Sequence, residues 1–236
     1  MTCFHIITIF PEMFDSYLKE SIIGRAIENK IISVKFYNPR DFIKPARRGG
    51  AQKDNGYRPI DGRPYGGGPG MVMQAEPILK AFESVIKKLK AKKLVKLKAI
   101  IFSTTGKKFD TAYAKKSAQK YTDIIMISGR YEGIDARVQK IVTAEEISIG
   151  DYILTGGELP AMVLIDSISR QISGVLGKYK SLEEERVSTS EVYTRPEVLK
   201  YPFGKAQGEK YKNYKVPKVL LSGNHQKIEE WKIKNK

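Results

Sequence analysis

The sequence lacks several features that would place it in a common class of protein. It has one cysteine and two histidines, so Cys3 has no partner for an internal disulfide, and a structural zinc site with His5 and His225 is excluded. No apolar run reaches the roughly eighteen residues that suggest a membrane span. The N-terminal residues also lack the basic region that opens a signal peptide. We therefore expect a cytoplasmic protein with no membrane partner.

Acidic residues are also few: the chain has 26 aspartates and glutamates and 42 lysines and arginines, which gives a net charge of +16. This balance favours a polyanionic partner, nucleic acid first and acidic lipid second, although a lysine-rich composition can arise without any binding role. No G-x-G-x-x-G motif follows the first predicted strand, and no G-x-x-x-x-G-K-[ST] motif occurs. A dinucleotide-binding or P-loop protein is therefore unsupported.

What the sequence does contain is an alternation of strand and helix patterns. Apolar periodicity predicts a last helix from about 159 to 173, with one apolar face formed by Ala161, Leu164, Ile165, Ile168 and Ile172. Such alternation is typical of an α/β fold with a mainly parallel sheet and helices packed against it. The predicted strands are 4–10, 31–37, 98–103, 123–128 and 146–154, and the other predicted helices are 12–29, 75–90 and 109–121.

Three of these strands are followed by glycine-containing segments, at 104–108, 129–133 and 155–160. Ligands of open parallel sheets bind outside the carboxyl ends of the strands, and glycine there lets the backbone approach a ligand. We therefore expect a cofactor cleft at this edge of the sheet. Asp151 and Glu158 border it, either to orient substrate or hold a metal ion, or as solvated loop acids.

The chain changes character near Gly177. Residues 177–192 are polar and lack periodicity, as expected of a linker, whereas 193–236 are basic and aromatic and predict a small, mostly helical appendage. The glycine-dense residues 65–71 follow a polar loop rather than a strand. From the residues alone we interpret them as a tightly turned surface loop and not as a phosphate cradle.

Five motifs, taken in order along nearly the whole chain, resemble one family. They are "RPYGGGPGM" (63–71), "GRYEGID" (129–135), "SIGDYILTGGELPAM" (148–162), "YTRPEV" (193–198) and "VPKVLLSGNH" (216–225). The family is that of the bacterial tRNA (guanine(37)-N1)-methyltransferases, of the SPOUT class. The resemblance implies an α/β domain over 1–176 that binds S-adenosylmethionine and ends in a trefoil knot, and a small tRNA-binding domain over 193–236. It also implies a homodimer that methylates N1 of guanine 37, next to the anticodon.

In this family, backbone atoms of three knot segments enclose a bent S-adenosylmethionine. Within the third segment, the resemblance implies that Gly156 and Gly157 carry no side chain because the cofactor passes close to their backbone. Thr104 stands where the family usually has proline. Carried over by motif, the cofactor-binding residues are Ser103, Thr104, Gly106, Gly129, Tyr131, Glu132, Ile149, Gly150, Tyr152, Leu154, Gly156 and Gly157.

The catalytic residues are likewise implied by the resemblance. The family's linker carries an Asp-Ser-Phe triplet whose aspartate is the proposed general base, and this chain has Glu185-Arg186-Val187 in its place. The resemblance therefore assigns the base to Glu185, with Glu183 and Glu184 as adjacent competitors, and the contact to guanine O6 to Arg170. Without the resemblance, Arg170 would be read as an i, i+4 ion-pair partner of Asp166.

Two other functions stay open at this point. One is a different RNA methyltransferase of the same knotted class, such as a 2′-O-ribose enzyme. The other is a non-catalytic relative that binds S-adenosylmethionine and RNA but has lost its base. We assign no metal ligands, and the sequence leaves a Mg²⁺ requirement open. We expect His5 to be a core residue with a satisfied partner, and His225 to be a tRNA contact or a structural cap.

Overall fold

The computed structural model describes residues 1–43, 58–91, 94–176, 191–201 and 212–235. The chain folds as two compact units, Met1–Gly177 and Lys178–Lys236. The roles that the resemblance gives to these parts of the chain stay a prediction.

The first unit is built on a five-stranded sheet in which every neighbouring pair is parallel. The strands of this unit are β1 (Thr2–Ile7), β2 (Ile32–Tyr37), β3 (Asp61–Gly62), β4 (Val72–Met73), β5 (Leu97–Lys108), β6 (Asp123–Ile127) and β7 (Glu145–Ser148). Their order in the sheet is β2-β1-β6-β5-β7, while β3 and β4 form a separate antiparallel pair. The predicted parallel α/β sheet is confirmed, and all five carboxyl ends meet at one edge.

Helices cover both faces of this sheet because successive residues of a strand point to opposite sides. In β6, Ile124 and Met126 join the core on one face, and Ile125 and Ile127 join the core on the other. The helices are α1 (Asp15–Leu18), α2 (Ser21–Glu28), α3 (Ala75–Lys90), α4 (Thr111–Lys120), α5 (Ala136–Val142) and α6 (Glu158–Arg170). The first core is covered by α1, α2, α4 and α6, and the second by α3 and α5.

The helix predictions vary in accuracy with the length of the apolar pattern. The prediction for 75–90 coincides with α3, and the predicted apolar face of α6 is buried from Ala161 to Ile168. The single helix predicted for 12–29 is wrong. A 3₁₀ turn (Pro11–Phe14), α1 and α2 occupy that stretch, and Ser21 adopts a φ of +54° at the break. Among the described residues, none of the helices combines the length and the apolar character needed to traverse a bilayer.

Strand β5 differs from its prediction in a way that matters for the site. It continues to Lys108 instead of ending at Ser103. Both Phe102 and Lys107 are in register with Ile147 of β7, so residues 103–106 bulge out of the ladder between them. The first glycine-containing segment is therefore a bulge within a strand and not a loop after one.

The second unit contains an antiparallel pair, β8 (Val198–Tyr201) with β9 (Lys212–Lys215), and two helices, α7 (Lys218–Leu221) and α8 (His225–Lys234). The described residues of this unit contain more helix than strand. The strand pair was not predicted, because polar residues such as Lys212 and Asn213 give little β signal. The trefoil knot stays a prediction, since strand order alone does not define how the chain threads.

Candidate active site

A cavity of about 380 Å³ lies at the carboxyl edge of the sheet. Small-molecule sites have volumes of about 300–1,000 Å³, so this volume suits a cofactor. Three stretches line it, namely the bulge of β5, the segment after β6 and the segment after β7. Of the residues assigned to the cofactor by motif, all but Gly106 line this cavity. These are Ser103, Thr104, Gly129, Tyr131, Glu132, Ile149, Gly150, Tyr152, Leu154, Gly156 and Gly157.

The first segment presents Ser103 and Thr104 to the cavity. The Ser103 hydroxyl oxygen lies 3.1 Å from the Thr105 hydroxyl oxygen. It also accepts a hydrogen bond of 3.3 Å from the Thr105 N–H. Gly106 does not line the cavity. A Cβ on Gly106 would lie 2.6 Å from the Glu146 carbonyl carbon, so this glycine is needed for the close approach of the bulge to β7.

The second segment, residues 129–133, has an unusual backbone. Tyr131 adopts a φ of +61°, a left-handed conformation that is a genuine outlier for a bulky residue. Gly133 has a φ of +119°, and a Cβ on Gly129 would lie 3.0 Å from Cγ1 of Ile134. Strained backbone of this kind clusters at functional sites, which agrees with the position of Tyr131 on the cavity wall.

The third segment ends at the paired glycines, and here the structure changes the explanation. A Cβ on Gly157 would lie 2.7 Å from the Ser128 Cα, and the Gly157 N–H donates to the Gly129 carbonyl at 2.9 Å. A Cβ on Gly156 would lie 2.6 Å from Glu158 Oε2. Groups of the chain itself therefore exclude both side chains. The close approach of the cofactor to the backbone of Gly156 and Gly157 stays a prediction.

Glu158 is a buried partner of Arg130, which the sequence reasoning missed. Arg130 Nε lies 2.9 Å from Glu158 Oε2, and the two side chains are 16% and 1% exposed. The other carboxylate oxygen accepts from the Thr8 hydroxyl at 2.8 Å. The contact to Nε is a close charge pair without good hydrogen-bond alignment. Neither reading of Glu158 as a solvated acid or as a metal ligand agrees with this burial and pairing.

Arg130 also connects the second and third segments to the N-terminal part of the chain. Its guanidinium lies 4.9 Å from the centroid of the Phe10 ring and donates to the Thr155 carbonyl at 3.4 Å and to the Met13 sulfur at 2.8 Å. An isolated antiparallel bridge joins Arg130 to Gly156. In the sequence, Arg130 and Glu158 are charged residues within two separate glycine-containing motifs, and nothing there indicates that they pair.

The two residues assigned to catalysis are described to different extents. Glu185, with its neighbours Glu183 and Glu184, lies outside the described residues. Arg170 is the last residue of α6. Asp166 accepts a short hydrogen bond from the Tyr17 hydroxyl, and burial of Tyr17 together with this bond raises the pKa of its phenol to about 12. Asp166 is therefore engaged by a group outside its own helix.

Neither histidine is among the described residues that line this cavity. His5 is buried, with Nε2 3.0 Å from Asp123 Oδ1 and Nδ1 3.3 Å from the Tyr37 hydroxyl, which confirms a core residue with satisfied partners. Among the described residues, the side chains of Cys3, His5 and Asp123 form a group whose ligand atoms lie close enough together to hold a metal ion. His225 begins α8, but Asn224 is the cap, since its side chain accepts from the Lys227 N–H at 3.1 Å. The cap reading of His225 is wrong.

Comparison with known proteins adds independent information to this geometry. Residues 2–236 match the model of the family described as tRNA (Guanine-1)-methyltransferase TrmD. A tRNA (guanine-N(1)-)-methyltransferase of Clostridioides difficile (strain 630) is 43% identical over 229 residues, which is 97% of this chain and 90% of the relative. One of Buchnera aphidicola subsp. Acyrthosiphon pisum is 44% identical over 98% of this chain and 88% of its own length. One of Alkaliphilus oremlandii is 42% identical, covering 96% and 84% respectively.

Proposed function

The chain belongs to the tRNA (guanine-1)-methyltransferase family, and we propose that it transfers the methyl group of S-adenosylmethionine to N1 of guanine 37, beside the anticodon of tRNA. The family membership supports the reaction class. The single observation that carries the proposal is the cavity that three glycine-containing segments line at the carboxyl edge of a parallel sheet. From the proposed tRNA substrate we infer that the reaction takes place in the cytoplasm.

The lining of the cavity is suited to S-adenosylmethionine. Its volume of about 380 Å³ falls in the range of cofactor sites. Gly129, Gly150, Gly156 and Gly157 are among its lining residues, and a ligand can contact only backbone atoms of a glycine. The Gly157 N–H and the Gly129 carbonyl pair with each other, and other backbone N–H and C=O groups of the lining segments can hydrogen-bond an adenine edge. Ile149 and Leu154 offer apolar contacts. When bound, the cofactor supplies an electrophilic methyl group on a sulfonium.

The residues of the chain would then have to handle one proton and one developing charge. Guanine N1 carries a proton and becomes nucleophilic when a carboxylate accepts it, a role that we assign to Glu185. Negative charge develops on O6 as the proton leaves, and a cation that donates a hydrogen bond there stabilises it. We assign this role to Arg170, at the end of the helix that begins at the paired glycines.

We propose that the enzyme is a homodimer. Large apolar side chains are exposed along the third segment and on one face of α6, and an exposed contiguous apolar patch marks an interaction surface. Leu159 and Val163 are four residues apart and lie on the same helical face. The exposed side chains of this patch are Tyr152, Ile153, Leu154, Leu159 and Val163. We infer that the linker of one subunit completes the cavity of the other.

The basic balance of the chain supports tRNA binding. A net charge of +16 favours phosphate contacts, and such binding weakens steeply as salt rises. The second unit adds aromatic groups among its basic residues. Tyr193 and Tyr214 are exposed, and the rings of Tyr193 and the partly exposed Trp231 lie 6.5 Å apart. Exposed rings beside cations are suited to unpaired bases and their phosphates.

The proposal is tested by methylation of a tRNA transcript that carries guanine 37, with mass spectrometry of the digested nucleosides. We expect 1-methylguanosine with the wild-type chain, and none with a transcript in which adenine replaces guanine 37. A 2′-O-methylated nucleoside, or cofactor binding without any product, would contradict the proposal and favour the two alternatives in turn. Repeating the assay with EDTA decides the Mg²⁺ requirement.

A further inference from the structure

Tyr65 has the highest exposed fraction among the large apolar and aromatic side chains that the structure describes, at 101%. It precedes three glycines, Gly66 to Gly68, whose φ angles lie between +83° and +106°. No atom lies within 4 Å of a Cβ built on any of these three. Conformation and not crowding therefore requires glycine here, and the turn presents the Tyr65 ring to solvent.

The turn is fixed to the wall of the cavity by the chain that follows it. The Met71 carbonyl accepts from the Glu132 N–H at 3.0 Å. The Met73 N–H donates to the Gly133 carbonyl at 2.9 Å, and the Met73 carbonyl accepts from the Asp135 N–H at 3.0 Å. Segment 71–73 is thus hydrogen-bonded along the second cavity segment.

Gly70 brings the turn itself against that segment. Its φ is +87°, and a Cβ there would lie 2.5 Å from Cγ of Glu132. Glu132 lines the cavity, so the glycine-dense turn packs directly on a cavity residue. Residues 65–71 form a tight surface turn, as the sequence predicts, but the sequence did not indicate that this turn packs on Glu132.

Two exposed arginines lie near this turn. Arg63 is exposed two residues before Tyr65, and Arg137 is exposed at the start of α5. Arg137 donates from Nε to Asp135 Oδ1 at 2.9 Å and from Nη2 to Oδ2 at 2.6 Å. These bonds hold the pKa of Asp135 at about 2. The pKa of the Arg137 guanidinium is raised chiefly by Asp135, with a smaller contribution from the nearby Tyr65.

We propose that Tyr65 is a stacking platform for one unpaired base of the anticodon loop at the mouth of the methyl-donor cavity, flanked by phosphate contacts from Arg137 and Arg63. This inference rests on the proposed function and identifies how its RNA substrate is held. An aromatic face between cations is how proteins bind single-stranded RNA, because every base offers a π-face and every nucleotide a phosphate. If Tyr65 were only a solvated tyrosine on a surface turn, its ring would contact no base of the RNA.

The test compares Tyr65→Ala and Tyr65→Phe with the control Leu94→Ala, which removes a side chain of similar exposure just before β5, at the other edge of the sheet. We expect Tyr65→Ala to weaken tRNA binding by roughly 5- to 150-fold, the worth of one base–aromatic stack on alanine substitution. Tyr65→Phe keeps the ring and should stay within about twofold of wild type. Affinity for S-adenosylmethionine should not change in any of the three variants.

Transcripts with a single abasic site at each position from 35 to 38 identify the stacked base. At one of these positions, removing the base should lower the tRNA affinity of the wild type but should change the tRNA affinity of the Tyr65→Ala variant little. The Tyr65→Ala change should leave the salt dependence of binding intact. Arg137→Gln should instead reduce the slope of log K against log salt by about 0.7 for each phosphate that the protein no longer neutralises.

Several outcomes would overturn this inference and leave the proposed function standing. One is an unchanged tRNA affinity in Tyr65→Ala, and another is an equal loss of tRNA affinity in Tyr65→Phe and Tyr65→Ala. A third is that every abasic position lowers the affinity of Tyr65→Ala as much as it lowers that of the wild type. A Tyr65→Ala variant that loses tRNA only because it no longer dimerises on size exclusion would also overturn it. Failure of the wild type to methylate the transcript would instead contradict the proposed function.

Discussion

The two edges of the sheet each carry a cavity, and volume does not distinguish the candidate active site from the other cavity. The groove at the amino edge has a volume of about 530 Å³ and is lined by Phe82, Lys96, Leu97, Lys98, Ala99, Lys120, Tyr121, Val142 and Thr143. No glycine occurs among these described lining residues, whereas Gly129, Gly133, Gly150, Gly156 and Gly157 line the carboxyl-edge cavity of about 380 Å³. Glycine in the lining, more than volume, distinguishes the edge where a ligand is expected.

Each edge also has a buried acid–base pair, and the two pairs have different surroundings. His5 and Asp123 lie in adjacent strands, both 2% exposed, with Nε2 and Oδ1 3.0 Å apart. Arg130 and Glu158 lie 2.9 Å apart in segments that border the cavity. We infer that the first pair fastens β1 to β6, while the second positions the cavity wall. Paired substitutions at the two edges test this contrast.

The largest effect is expected from removing the carboxylate that we propose as the general base. Glu185→Gln keeps the shape of the side chain but removes its basicity, so single-turnover methyl transfer should slow by roughly 10²- to 10⁴-fold. Affinities for tRNA and S-adenosylmethionine should change little. Asp123→Asn makes the same chemical change at the amino edge and should leave the rate constant of the folded protein unaltered.

The neighbouring acids serve as internal controls for this measurement. A wild-type rate in Glu185→Gln together with a slow Glu184→Gln or Glu183→Gln variant would move the base along the linker. Full rate in all three would show that the reaction does not use a carboxylate base from this segment.

The next largest effect concerns the two buried pairs. Arg130→Ala leaves Glu158 buried without its cation, and breaking a buried pair in this way costs about 3–5 kcal/mol of unfolding free energy. His5→Ala should also destabilise the fold, by about 1–3 kcal/mol, because Asp123 loses a hydrogen-bond partner. Urea unfolding measures both changes.

Cofactor affinity separates the two variants. Arg130→Ala should weaken S-adenosylmethionine binding by about 10- to 100-fold, or about 1.4–2.8 kcal/mol, because Thr155 and Gly156 lose their anchor. His5→Ala should leave this affinity within about twofold. Equal affinity losses in calorimetry would show that both pairs act only through stability, and Arg130→Lys extends the test to a variant that keeps the charge.

A smaller effect is expected from one added methyl group. A Cβ on Gly157 meets the Ser128 Cα at 2.7 Å, and a Cβ on Gly24 in α2 meets the Lys19 carbonyl carbon at the same distance. Each alanine should cost about 1–3 kcal/mol by overpacking. Only Gly157→Ala should also weaken S-adenosylmethionine binding; a Gly24→Ala variant with the same weakening would remove the distinction between the two sites.

The smallest effect is expected from the exposed lysines of the amino-edge groove. Lys96 and Lys120 are remote from the cavity, and charges separated by more than about 8 Å of solvent are screened at physiological salt. The double alanine variant should bind tRNA within about twofold of wild type in a filter assay. A tenfold loss would make the amino edge part of the RNA-binding surface.

Long periodic segments were the most predictable part of the molecule. The sheet, α3 and the buried face of α6 follow directly from apolar patterns, and glycine-containing segments at strand ends located the cavity. The pair Arg130–Glu158 was missed because burial of a charge depends on chain crossings that join residue 8 to residue 158. Gly106 was placed in the cavity although it packs on β7, since sequence does not distinguish a glycine facing a ligand from one facing a neighbouring strand.

The most direct test of the account is a crystal structure of the chain with S-adenosylmethionine bound. We expect the cofactor in the carboxyl-edge cavity, with its adenine hydrogen-bonded to backbone groups of the three segments at 103–106, 129–133 and 149–157. A cofactor bound in the amino-edge groove or at any other surface, with the carboxyl-edge cavity empty, would contradict the assignment of the active site.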